Sequence, residues 1–72
     1  MLHMNQLHMN GWRVWQQLGR IATAPSEAMA NYTLGVLTGS AIERGGEPDE
    51  ISRLLNFANQ IANARIEELR NA

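Results

Sequence analysis

Cysteine is missing from this 72-residue chain. Its absence excludes a disulfide framework and a thiolate metal cage, two devices that commonly stabilise very small domains. A chain of this length forms one domain at most, and it buries a smaller fraction of its surface than a larger domain does. Packed apolar side chains must therefore supply the stability of the fold.

Lysine is also missing, and positive charge is scarce. The six basic residues are all arginines, against seven acidic residues, so that the net charge is −1. A chain with so little net charge has no extended positive field that would attract nucleic acid or anionic lipid. The charge is unevenly placed, because Arg13 and Arg20 precede the first acidic residue, Glu27. The planar guanidinium of arginine suits paired hydrogen bonds at protein interfaces.

Long apolar runs are lacking as well. The first fifteen residues contain no apolar block of the kind found in a secretory signal peptide. The longest uncharged run after the N-terminal part lies between Glu27 and Glu43, and its fifteen residues include four polar ones. Such a run is too short and too polar to span a bilayer. We therefore expect a soluble protein without membrane contact.

The clearest helical pattern is the last one. Gly45 and Gly46 end the preceding segment, and Pro48 with the acidic residues after it suits a first helical turn. Apolar residues then recur every three or four positions, which predicts a helix over 48–70. The first segment places apolar residues on one face over 12–22 and is also predicted to be helical.

The middle segment predicts a helix over 26–43, with Thr23 as a candidate cap and Pro25 in the first turn. Gly35 and Gly39 disfavour a helix interior, so this segment could instead break into two shorter helices. The patterns together predict an all-α fold, a small single domain of about three helices.

The tetrapeptide LHMN occurs twice within the first ten residues. Its histidines, His3 and His8, are five positions apart, so that neither a helix nor a strand would direct both imidazoles to one metal ion. We therefore predict a flexible leader over 1–10 without a metal site, followed by a helical domain over 11–72. An arm that a partner orders is the alternative for this leader.

Groups for catalysis are not arranged together in this sequence. The three serines have no histidine nearby apart from those of the leader, and the carboxylates of the last helix are expected to pair with Arg53 and Arg70 along that helix. Gly45-Gly46 lacks the Lys-Ser/Thr pair of a phosphate-binding loop. The sequence therefore predicts neither an enzyme nor a cofactor site.

Two alternatives from other classes stay open. The first two predicted helices resemble a helix-turn-helix in outline, but the N-terminal turns of the second contain Glu27 and no arginine, which disfavours specific DNA contact. A self-associating helical adaptor is the other alternative, in which Gly35 and Gly39 would permit close approach between helices.

The middle segment has two apolar faces. Met29, Tyr32 and Val36 lie on one side of the predicted helix, and a second apolar set lies about 130° away from them. Both faces could belong to the core. A domain this small has few apolar groups to cover both, however, and a stripe left partly exposed would be an adhesive surface.

Trp12 and Trp15 flank Arg13, and tryptophan and arginine are enriched at binding hot spots. Each tryptophan could fill the core or lie at an interface. Phe57 lies at the margin of the last helix's apolar stripe, whereas Arg65 lies inside the stripe and is expected to extend outward to solvent. Our hypothesis is a single docking surface for a partner, composed of Trp12, Arg13, Trp15, Met29, Tyr32 and Val36.

The stretch GWRVWQQLGRIATAPSEAMANYTLG, residues 11–35, resembles the small RNA-polymerase-binding transcription regulators of lytic Xanthomonas phages. The resemblance implies binding to the large subunits of the host's RNA polymerase, in the cytoplasm of the infected bacterium. It further implies inhibition of initiation by disturbing sigma-factor engagement, and antitermination. It rests on the stretch as a whole and assigns no role to single residues.

Overall fold

The structure is a computed structural model that describes residues 12–72, with Trp12 described in its backbone only. Within this range the chain forms three helices, α1 (Trp12–Ala22), α2 (Glu27–Arg44) and α3 (Pro48–Asn71), and no strand. The predicted all-α fold of three helices is confirmed. The leader predicted over 1–10 lies outside the described residues.

The N-terminus of α2 differs from the prediction in its cap. Ser26 has an extended backbone, and its Oγ accepts a hydrogen bond from the backbone N–H of Met29 at 3.2 Å. The hydroxyl of Thr23 instead donates to the carbonyl oxygen of Gly19 at 2.8 Å, at the end of α1. Thr23 was the wrong candidate, because a capping side chain must come from the residue that directly precedes the helix.

The middle helix continues without a break from Glu27 to Arg44. Ala30, Thr33 and Leu37 are buried along its inner side, so tertiary packing offsets the low helix propensity of its two glycines. The helix predicted over 26–43 is therefore confirmed, and the alternative of two shorter helices is excluded.

All three helices contact one another around a small core. The core consists of Leu18 and Ile21 from α1, Leu37 from α2, and Ala58 and Ala62 from α3. The two alanines leave room on α3 for the larger side chains of its neighbours. Four partly buried side chains pack against this cluster, namely Val14, Leu34, Leu54 and Ile61.

Two arginines of α3 connect its C-terminal half to the start of α2. Arg65 Nε donates to the carbonyl oxygen of Ala24 at 2.8 Å, so its guanidinium binds the α1–α2 turn instead of extending outward as predicted. Arg70 forms two hydrogen bonds with the Glu27 carboxylate, at 3.0 and 2.8 Å, instead of pairing within α3. The C-terminal ends of α1 and α3 therefore lie at the same end of the bundle.

The Glu27–Arg70 ion pair makes stability depend on pH. The hydrogen bonds from Arg70, followed by its charge, hold the pKa of Glu27 below its ordinary value of 4.5. A carboxyl with a lowered pKa in the folded state contributes stability that is present above pH 4.5 and lost as the pH falls through its folded-state pKa. We expect Glu27→Gln to lower the melting temperature at pH 7, and this difference to disappear in acid.

Melting curves of both proteins between neutral pH and strong acid check this expectation. Glu67→Gln is the matched control, since Glu67 is exposed and forms no ion pair within residues 12–72. A difference for Glu27→Gln that stays constant over the whole pH range would contradict the role of the ion pair.

Two glycines are expected to respond to alanine in opposite directions. A Cβ at Gly35 would meet no atom within 4 Å, so Gly35→Ala should raise the free energy of unfolding by about 1 kcal/mol through helix propensity alone. Gly45 ends α2 with φ 73° and ψ −169°, a conformation that residues with a Cβ adopt only at a cost of about 1–3 kcal/mol. Urea titrations of both variants measure the two changes, and a loss of stability in Gly35→Ala would be the wrong sign.

Candidate protein-interaction surface

An open groove of about 400 Å³ runs between α1 and α2, and we refer to it as the α1–α2 groove. One wall comes from α1, the other from α2, and the turn that joins the two helices closes one end. The lining residues are Gln17, Arg20, Thr23, Ala24, Pro25, Met29, Tyr32, Thr33 and Val36.

The α2 wall is an exposed apolar stripe formed by Met29, Tyr32 and Val36. Tyr32 is 67% exposed, Met29 46% and Val36 38%, whereas Ala30 and Leu37 on the other face of α2 are buried. The structure therefore uses one of the two predicted apolar faces for the core and leaves the other facing solvent. All three stripe residues line the groove.

The α1 wall supplies the positive charge of the groove. Arg20 lines it, and Arg13 precedes Arg20 by seven residues, which places both on the same flank of α1 about two turns apart. Both arginines are exposed, and neither forms an ion pair or a side-chain hydrogen bond within residues 12–72. Between Ala28 and Ile42, α2 carries no charge at all.

Trp15 is 65% exposed, so it is a surface residue and not part of the core. At 100° per residue it lies about 160° from Gln17 and about 140° from Arg20 around α1, on the flank that faces away from the groove. The structure therefore separates Trp15 from the stripe of α2. The side chain of Trp12 lies outside the described part of the chain.

Phe57, on α3, is 47% exposed. It precedes Arg70 by thirteen residues, about 140° around α3 from the flank that reaches α2. Phe57 lies eight residues before Arg65, and Trp15 lies nine residues before Ala24. Arg65 and Ala24 are in contact through a hydrogen bond. The two exposed aromatic residues therefore lie at similar heights along α1 and α3.

The single docking surface expected from the sequence thus becomes two regions. Met29, Tyr32 and Val36 come together in the α1–α2 groove, with Arg13 on its α1 flank, and Trp15 lies on the flank of α1 that faces away from the groove. Sequence reasoning missed Gln17 and Arg20 as groove residues. The seven-residue spacing of Arg13 and Arg20, which puts both on one helical face, is the signal that could have identified Arg20.

The chemistry of the groove is suited to binding through apolar contact and guanidinium hydrogen bonds. Its lining contains no carboxylate, imidazole or thiol. No group of three or more potential metal ligands occurs within residues 12–72. In the same range, every buried side-chain nitrogen or oxygen has a hydrogen-bond partner.

This chain matches no protein-family model, no curated protein and no solved structure. Within residues 12–72, no helix has both the length and the apolar character that crossing a membrane requires.

Proposed function

We propose that this chain is a non-enzymatic docking protein that binds bacterial RNA polymerase through its large subunits and regulates transcription in the infected cell. Its effects are inhibition of initiation, by disturbing sigma-factor engagement, and antitermination. The observation that carries the docking part is the exposed stripe of Met29, Tyr32 and Val36 beside unpaired arginines.

The exposed stripe is apolar surface that the domain itself leaves uncovered. The central buried cluster consists of five residues, two of which are alanines, while larger apolar side chains remain at the surface. A partner that covers Tyr32 and Met29 would remove from water apolar surface that the domain leaves exposed, and this burial favours binding. Tyrosine and arginine are also the residue types that most often dominate binding energy at interfaces.

The polymerase as partner is supported by where the exposed residues lie in the sequence. The stretch that resembles the phage regulators, residues 11–35, comprises α1, the α1–α2 turn and the first half of α2. It therefore includes both walls of the α1–α2 groove apart from Val36, and it includes Trp15 on the other flank. The resembling stretch and the exposed surface largely coincide.

Binding to purified bacterial RNA polymerase is the direct test. The full chain should co-elute with the polymerase, lower the yield of transcripts from a sigma-dependent promoter and increase read-through at a terminator. Asn63→Ala, a change at an exposed position of α3 away from the groove, should behave like the wild type. A chain that does not bind the polymerase at micromolar concentration would refute the proposed partner.

Two further measurements test the two alternative functions. A DNA-binding protein would shift random duplex DNA without polymerase, with an affinity that falls steeply as salt rises. A self-associating adaptor would sediment faster as its own concentration increases. We expect no shift of duplex DNA, since α2 presents no basic residue between Glu27 and Glu43.

A further inference from the structure

We propose that the α1–α2 groove takes an acidic amphipathic helix of the partner protein, with apolar side chains on one face and two carboxylates about two turns apart. This inference rests on the proposed function only in that the groove is a docking surface. It goes further by stating which kind of protein segment fits.

The charge of the groove determines the sign of the charge that its occupant should carry. Arg13 and Arg20 lie on the α1 flank without ion pairs within residues 12–72, and no acidic residue precedes Glu27 in the sequence. Glu27 itself is bound by Arg70. Since α2 is uncharged between Ala28 and Ile42, the walls of the groove carry positive charge only, and carboxylates complement it.

The lengths of the two walls favour a helix as the occupant. Arg13 and Arg20 are seven residues apart on α1, and Met29 and Val36 are seven residues apart on α2. Both separations correspond to about 10 Å along a helix axis. A partner helix with acidic residues at positions i and i+7 and apolar residues between them would match both walls, as in other helix-in-groove complexes.

Nucleic acid fits these walls less well than a protein segment does. Its phosphates would also be attracted by the two arginines, but nucleic-acid binding sites use a continuous row of basic residues. Here the wall opposite the arginines is mainly apolar, because Met29 and Val36 gain nothing from a phosphate backbone. Tyr32 is the one aromatic side chain among the groove's lining residues that could stack on a base. The observations therefore favour the acidic helix.

Selection from a library of helical peptides, randomised along one face and presented to the full 72-residue chain, tests the proposal without polymerase. The selected peptides should combine leucine, phenylalanine or tryptophan with Asp or Glu two turns apart. Arg20→Glu should weaken their binding about tenfold or more, as expected for a charge-assisted hydrogen bond. Replacing only the acidic residue that pairs with position 20 with lysine should restore binding to Arg20→Glu.

Arg53→Glu is the matched control, because Arg53 is exposed on α3, forms no ion pair within residues 12–72 and gives the same change in net charge. This variant should bind the selected peptides like the wild type. Amide NMR shifts on titration with a selected peptide should cluster at the groove residues of α1 and α2.

The proposal is overturned if the library yields no binder, if it yields neutral or basic peptides, or if Arg53→Glu loses as much affinity as Arg20→Glu. Tighter binding of a single-stranded oligonucleotide than of any selected peptide would also overturn it, in favour of nucleic acid. Polymerase binding is measured separately. Acidic peptides selected by a chain that does not bind polymerase would refute only the proposed partner, and polymerase binding that is insensitive to Arg20→Glu would refute only the acidic helix.

Discussion

Replacing Ile21 with alanine is expected to lower the melting temperature of the protein by about 10 °C or more. Ile21 is the largest fully buried side chain of the described residues and belongs to the central cluster. Truncation of a buried isoleucine to alanine costs about 2–5 kcal/mol. The total stability of a domain this small is on the order of 4–10 kcal/mol, so the substitution removes a large part of it. Circular dichroism during heating and urea titration measure the loss.

Ile42 provides the control for this experiment, since it is the same residue type but 62% exposed on α2. Ile42→Ala should shift the melting temperature by only a few degrees, because little apolar surface leaves the core and alanine is a good helix former. Equal melting temperatures for the two variants would mean that Ile21 does not fill the core as the structure shows.

Removing the ring of Tyr32 is expected to leave the fold intact and to lower the affinity for RNA polymerase about thirtyfold. The side chain is 67% exposed, so Tyr32→Ala should alter the melting temperature little. A tyrosine at the centre of a docking surface typically contributes about 2 kcal/mol or more to binding. Affinity measured by titration of labelled polymerase, together with calorimetric melting, gives both quantities. Wild-type affinity in a folded Tyr32→Ala variant would exclude the groove as the docking site.

Trp15→Ala extends this test to the other flank of α1. The exposure of Trp15 predicts a variant that remains folded, in contrast to the loss of about 3–5 kcal/mol expected for a buried aromatic residue. We expect it to lose polymerase binding as well, which would mean that the partner encloses α1 from both sides. Normal binding by this variant would confine the docking surface to the α1–α2 groove.

The fold could be predicted largely from the sequence, because helix formation depends on patterns that are local. The recurrence of apolar residues after Pro48 identified α3 to within a residue of its end, and the spacing of apolar residues identified α1 and α2. The two apolar faces of α2 were also readable, since at 100° per residue Tyr32 lies about 140° from Leu37 around the helix whatever the surroundings. Local propensity alone left open whether the interior of α2 breaks at its glycines, and packing by Ala30, Thr33 and Leu37 outweighs their cost.

The candidate site depends on which helix lies beside which face, and local patterns carry no such information. Both faces of α2 are apolar, so only the positions of α1 and α3 decided that Leu37 is buried and Tyr32 exposed. Arg70 has acidic neighbours within its own helix, but its ion pair is with Glu27, forty-three positions away. The stripe of α2 faces one flank of α1, and Trp15 lies on the opposite flank. The sequence could not show this separation, because it depends on where α2 packs against α1. Periodicity along one helix thus determined the elements of this protein, whereas contacts between residues far apart in sequence decided its surface.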